Sequence, residues 1–220
     1  MSLQRACPLF IVVWGWLSML AAGPAWGCYS GLAVIPTADV VGAGQYSIEL
    51  QTDGLLPVPR ADVYILNTEA GIGDRFELGV DFDLSEDADP RVLLNAKYVL
   101  AQNADCTRAL ALGVSGVGEG VKSVPYLVGT ADLQALRLHL GGMRLEDKTR
   151  WFIGADRDLT EKINLGVDYT EGDENYSSVA LGYQLTECTG IFAGVLFPNY
   201  GGDTEFTLHL IFGGSYRGVE

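Results

Sequence analysis

A short unit recurs along this chain: a polar turn followed by a strand that carries Leu-Gly-Val. It reads Gly73-Asp74-Arg75-Phe76-Glu77-Leu78-Gly79-Val80-Asp81 in one place. In another it reads Thr160-Glu161-Lys162-Ile163-Asn164-Leu165-Gly166-Val167-Asp168-Tyr169. Looser copies lie at Leu112-Gly113-Val114, Leu181-Gly182-Tyr183 and Ala193-Gly194-Val195. Successive side chains of a strand point to opposite faces. Each copy therefore sends large apolar residues one way and small or polar residues the other.

The same alternation runs through most of the chain. Tyr46, Ile48 and Leu50 oppose Ser47, Glu49 and Gln51, while Leu78, Val80 and Phe82 oppose Glu77, Asp81 and Asp83. Leu94, Ala96 and Tyr98 oppose Asn95 and Lys97, and Leu110, Leu112 and Val114 oppose Ala111, Gly113 and Ser115. Leu136, Leu138 and Leu140 oppose Arg137 and His139, and Leu165 and Val167 oppose Gly166 and Asp168. Val179, Leu181 and Tyr183 oppose Ala180, Gly182 and Gln184, and Phe206, Leu208 and Leu210 oppose Thr207, His209 and Ile211. Weaker stretches lie at Asp62–Glu69, Val124–Thr130, Arg150–Asp156 and Gly190–Phe197. This predicts about twelve strands in an up-and-down meander. The connections fall into two alternating sets. One set includes Asp53–Arg60, Ser85–Pro90, Val117–Ser123, Gly142–Thr149, Glu171–Asn175 and Pro198–Asp203. The other includes Ala70–Gly73, Ala101–Cys106, Asp158–Thr160 and Thr186–Cys188 and is shorter, as periplasmic turns are in bacterial barrels.

Alternation does not say which face is inside. A soluble barrel or sandwich that binds a small apolar ligand or a polysaccharide would turn the apolar face inward. Twelve strands would enclose an interior too wide to fill readily with side chains, which favours lipid outside and a polar lumen within. Glu77, Asp81 and Asp83 share one strand face, and burying them without partners would cost several kcal/mol each. A hydrated lumen removes most of that cost. Residues 1–27 read as a signal peptide: Arg5, an apolar run from Leu9 to Ala22, and the site Ala25-Trp26-Gly27. Beyond residue 27, no stretch is apolar enough to cross a bilayer as a helix, so membrane insertion requires a closed barrel. The expectation is an all-β, up-and-down antiparallel transmembrane β-barrel at residues 45–220, preceded by a lead-in at 28–44. Its partners would be the lipid bilayer and the outer-membrane assembly machinery.

Gly31-Leu32-Ala33-Val34-Ile35-Pro36-Thr37-Ala38, followed by Gly44-Gln45-Tyr46, resembles the opening of the exopolysaccharide-associated outer-membrane barrel family. The resemblance implies an outer-membrane location and a link to polysaccharide-export components. Pro36 fixes φ and donates no amide hydrogen, so the segment reads as an extended lead-in acting as a plug or a rim anchor.

The chain carries 28 acidic and 14 basic residues, a net charge of −14. With no Lys/Arg cluster, nucleic acid is an unsuitable partner. Only two histidines occur, His139 and His209, both opposite the apolar face. A general base needs a positioned partner, so hydrogen-bonded structural roles are expected of them, and no enzyme activity. No nucleotide or nucleophile-elbow motif suggests a cofactor or covalent catalysis. The acidic stretches Ser85–Asp89 and Glu171–Asn175 lack a calcium-loop spacing and read as solvated loops. Cys28, Cys106 and Cys188 are the disulfide candidates, with the pairing open and no zinc spacing. The residues expected to line the lumen are Glu49, Glu77, Asp81, Asp83, Asn95, Lys97, Arg137, His139 and Asp168.

Overall fold

The computed structural model describes residues 31–56, 60–85 and 90–216. The signal-peptide reading of residues 1–27 and the candidate Cys28 lie outside them. Twelve strands follow in order: β1 (Gln45–Leu55), β2 (Arg60–Ile72), β3 (Phe76–Asp83), β4 (Arg91–Gln102), β5 (Arg108–Val117), β6 (Val124–Asp132), β7 (Arg137–Leu145), β8 (Lys148–Thr160), β9 (Ile163–Thr170), β10 (Tyr176–Thr186), β11 (Thr189–Pro198) and β12 (Glu205–Ser215). Each pairs antiparallel with its neighbours in sequence, and β12 closes onto β1 from Gln45↔Ser215 to Leu55↔Glu205. Closure leaves no unpaired sheet edge, the condition for a sheet in lipid.

The apolar face points outward. Leu50, Leu94 and Leu140 are 50–60% exposed, and the exposed side chains along the strands are mostly Leu, Val, Ile and aromatics. Aromatic residues mark both ends of this belt. Trp151 and Tyr169 pack at 5.2 Å where β8 begins and β9 ends, and Phe76 and Tyr98 pack at 6.5 Å at the opposite end. Such girdles sit at the two lipid–water interfaces. The exterior therefore suits a bilayer and contradicts a soluble barrel with its apolar face inside.

The turns after β2, β4, β6, β8 and β10 span residues 73–75, 103–107, 133–136, 161–162 and 187–188. The chain enters β1 and leaves β12 at this same end. One connection at the other end differs from the expected Gly142–Thr149 loop. The β7–β8 ladder continues through Met143↔Arg150 to Leu145↔Lys148, leaving only Glu146 and Asp147 to turn the chain. Glu146 takes up the tight reversal at φ 53°.

Two inward aromatics replace the side chains of glycines on the next strand. A Cβ on Gly113 would lie 2.3 Å from the Tyr126 ring, and one on Gly141 would lie 2.4 Å from Phe152 Cζ. These rings fill part of the wide interior. The rest of that sector is taken by the lead-in, which folds back inside the barrel. Leu32, Ile35 and Ala38 are buried in one cluster with Val99, Ala111, Val128, Met143 and Phe152. The lumen is thus not uniformly polar, as alternation suggested. The inner faces of β4–β8 carry apolar side chains that need a lid, and the lead-in supplies it. Nor is the lead-in simply extended: Leu32 N donates to Ile35 O at 2.8 Å, and Gly31 bridges to Pro36 across a tight turn.

Candidate functional site: the lumen and the seat of the lead-in segment

The lead-in crosses the lumen between two glycine notches. At β8, Gly154 leaves room for Ile35 and Leu32, whose Cδ1 atoms would be 2.5 and 2.8 Å from a Cβ placed there. At β2, the carbonyl oxygens of Val41 and Gly42 would both lie 2.1 Å from a Cβ on Gly71. Ala43 bridges to the same glycine.

Between the notches the segment's backbone is held by wall side chains. Val34 N donates to Asp168 Oδ2 at 3.3 Å, Ala38 N to Thr130 Oγ1 at 2.9 Å and Val41 N to Glu77 Oε2 at 2.7 Å. Lys97 Nζ donates to the carbonyl oxygen of Asp39 at 2.8 Å and lies 3.5 Å from Glu77. The Arg137 guanidinium pairs with the Asp39 carboxylate and faces Asp156 at 3.9 Å. These contacts satisfy backbone groups that would otherwise be stranded among apolar side chains.

His139 is fully buried and bonded through both ring nitrogens. Thr130 Oγ1 accepts from Ala38 N and meets His139 Nδ1 at 2.9 Å. His139 Nε2 meets Asp156 Oδ1 at 2.7 Å. Thr130 faces His139 directly across β6 and β7, which is why the hydroxyl reaches the ring. Asp168 also accepts from Ser178 Oγ at 2.7 Å.

A second network occupies the β12–β1–β2 sector. Glu49 lies 2.8 Å from His209 Nδ1 and accepts from Asn67 Nδ2 at 2.8 Å. His209 Nε2 meets Thr207 Oγ1 at 2.5 Å, and that hydroxyl donates to Asp53 at 2.6 Å. In both networks the imidazole is buried within 3 Å of a hydroxyl on one side and a carboxylate on the other. Neither presents a free nucleophile.

All nine residues singled out from sequence are on the inner face, but they do not form one group. Glu77, Lys97, Arg137 and Asp168 hold the lead-in, and His139 stands behind Thr130, which does the same. Glu49 belongs to the second network. Asp81 accepts from Asn95 Nδ2 at 2.6 Å, while Asn95 Oδ1 accepts from Gly116 N at 2.9 Å. Asp83 bonds Ser85 at the outer rim. Sequence reading missed Asp39, Thr130, Asp156 and Thr207. Asp156 had a signal, since it continues the inward parity of Phe152 and Gly154.

Among the described residues, no group of His, Cys, Asp or Glu side chains is placed to hold a metal ion. The Cys106 and Cys188 thiols are free, so the two are not paired with each other. They sit on the β4–β5 and β10–β11 turns, six strands apart in a ring of twelve, on opposite sides of one rim.

At that rim, between the lead-in and the wall, lies a cavity of about 400 Å³. Asp39, Arg137, Asp156, Asp158, Asn164 and Gln184 supply polar groups, and Phe192 and Ile211 form an apolar side.

No family model and no curated protein matches the chain. Solved structures do. The KdgM porin aligns with a TM-score of 0.60 at 16% identity, over 76% of this chain and 98% of that one. The KdgM porin in complex with disordered oligogalacturonate aligns equally well, at 17% identity. The NanC porin aligns with a TM-score of 0.50 at 9% identity, over 77% and 98% of the two chains. At such identities the likeness speaks to fold, and the fold is that of a porin-like outer-membrane β-barrel.

Proposed function

We propose that this protein is a narrow, cation-preferring pore of the outer membrane, without enzyme activity, whose lead-in segment occupies and gates its lumen. The observation that carries this reading is the charge of the inner wall. Glu49, Asp53, Glu69, Glu77, Asp81, Asp83, Asp156, Asp158 and Asp168 face inward from the strands. Of the inward cations, Lys97, Arg137 and Arg150 are each paired with a carboxylate, and Arg91 lies directly across the ladder from Asp83, so the carboxylates stay in excess. Rings of carboxylates favour cations in a pore. A polyanion such as the oligogalacturonate named with the KdgM porin would meet repulsion along this wall. The resemblance of residues 31–46 to exopolysaccharide-associated barrels adds a place beside envelope polysaccharide export, which then involves a neutral or cationic polymer.

The test combines two measurements. Outer-membrane recovery with a gel band that shifts on boiling would establish the closed membrane barrel in cells. Planar-bilayer recording under a salt gradient should then give a reversal potential of the cation-selective sign. An anion-selective potential would overturn the proposal.

A further inference from the structure

The cavity at the short-turn rim is within the range of small-molecule sites, about 300–1,000 Å³. Its wall is chemically one-sided. Asn164 spends its amide nitrogen on two carboxylates, donating to Asp156 Oδ2 at 3.0 Å and Asp158 Oδ1 at 2.9 Å. Gln184 spends its amide nitrogen on the carbonyl oxygens of Thr186 and Thr189. Those partners are all acceptors, so both amide orientations are fixed by chemistry. What the two amides leave for a ligand is their carbonyl oxygens.

The charges lean the same way. Asp39, Asp156, Asp158 and Glu161 line the cavity against Arg137 and Lys162. Arg137 is committed to Asp39 and Asp156, and Lys162 stands on the exposed β8–β9 turn. Phe192 and Ile211 offer an apolar strip beside these acceptors.

We propose that this cavity is a binding site for a small organic polyamine, taken up from the short-turn side, with its ammonium groups on Asp158, Glu161 and the carbonyl oxygens of Asn164 and Gln184. The methylene chain lies along Phe192 and Ile211. A neutral sugar would bring acceptors as well as donors to a wall that chiefly needs donors. Binding here is separate from conduction, so the site stands whether or not the barrel passes ions.

The experiment is calorimetric titration of the folded full chain in detergent with spermidine, and with lactose as the neutral comparison. Gly182→Leu is the decisive variant. Gly182 faces the cavity, and a Cβ there would meet only Asn164 Cβ at 3.7 Å, so the larger side chain fills the space without disturbing the backbone. Saturable spermidine binding is expected. It should be lost in Gly182→Leu and weakened about tenfold or more in Asp158→Asn with Glu161→Gln, as expected when charge-assisted hydrogen bonds are removed. Should Gly182→Leu fail to give the heat-shifted band, Gln184→Met replaces it, with the same expected loss. Spermidine binding that survives in the cavity variant would reduce the effect to general attraction by an acidic surface and overturn the site. Lactose binding without spermidine binding would overturn the ligand class.

Discussion

Ile35 occupies the space that a side chain at position 154 would need: a Cβ on Gly154 would lie 2.5 Å from Ile35 Cδ1. The Gly71 notch is tighter still, with backbone oxygens of the lead-in as its other side. Backbone cannot swing aside as a side chain can. Gly154→Leu and Gly71→Val should therefore unseat residues 31–44 while leaving the barrel closed. The expected outcome is a larger single-channel conductance with an unchanged heat-shifted band. Unchanged conductance in both variants would mean that the lead-in does not limit the pore.

Lys97 and Glu77 are an ion pair out of water, with side chains only 3% and 6% exposed. Removing one partner of such a pair leaves an uncompensated charge and typically costs about 3–5 kcal/mol. Lys97→Met should lower unfolding stability by about that amount. Adding Glu77→Gln should recover most of it, because the amide oxygen can still accept from Val41 N. Denaturant unfolding of the two variants, followed by the gel shift, checks both statements. A double variant as unstable as Lys97→Met would show that the lysine's bond to Asp39 carries the effect.

Strand faces were legible because each strand separates lipid from lumen, and a period of two survives even where a glycine interrupts it. The lead-in was harder. Leu32, Ile35, Ala38 and Val41 are buried at every third residue, a spacing that suits neither sheet nor α-helix. Only the inward Val99, Ala111, Val128, Met143 and Phe152 explain it, and they are spread over five strands. Register was also hidden. Thr130 and His139 are ordinary inward residues until the β6–β7 pairing sets them opposite each other. Glycine misled the reading at Gly142, where the ladder runs on to Leu145.

Charge preference should respond to the outer half of the wall. Asp81 and Asp83 take no part in holding the lead-in; their partners are Asn95 and Ser85. Asp81→Asn with Asp83→Asn keeps size and hydrogen bonding and removes two negative charges. The reversal potential in a salt gradient should move toward zero, with conductance little changed. A potential identical to that of the unmodified protein would place the selective region elsewhere in the lumen.

The outer loop after β9 carries a pH-dependent contact. Glu174 lies outside the strands and meets Arg150 at 2.5 Å. Its own backbone N–H and the Arg150 guanidinium hold its carboxyl below the ordinary value of 4.5. Asp147, in the adjoining turn, is held down in the same way by Lys122 at 3.1 Å. A carboxylate with a lowered folded-state value contributes fully above its unfolded value, and the contribution fades as pH falls through the folded one. The loop should therefore stay docked at neutral pH and loosen only in acid, below about pH 4.5. Salt should weaken it at neutral pH as well, since Glu174 is half exposed and such pairs are screened. Limited proteolysis of the loop across pH should reveal this, with cleavage near Asp173–Asn175 rising in acid. Glu174→Gln should show the acid level of cleavage already at pH 7, and cleavage independent of pH in the unmodified protein would assign the loop's order to Asn199 instead. That side chain donates to Thr170 O at 2.7 Å and Gly172 O at 2.8 Å, bonds that no titration in this range would break.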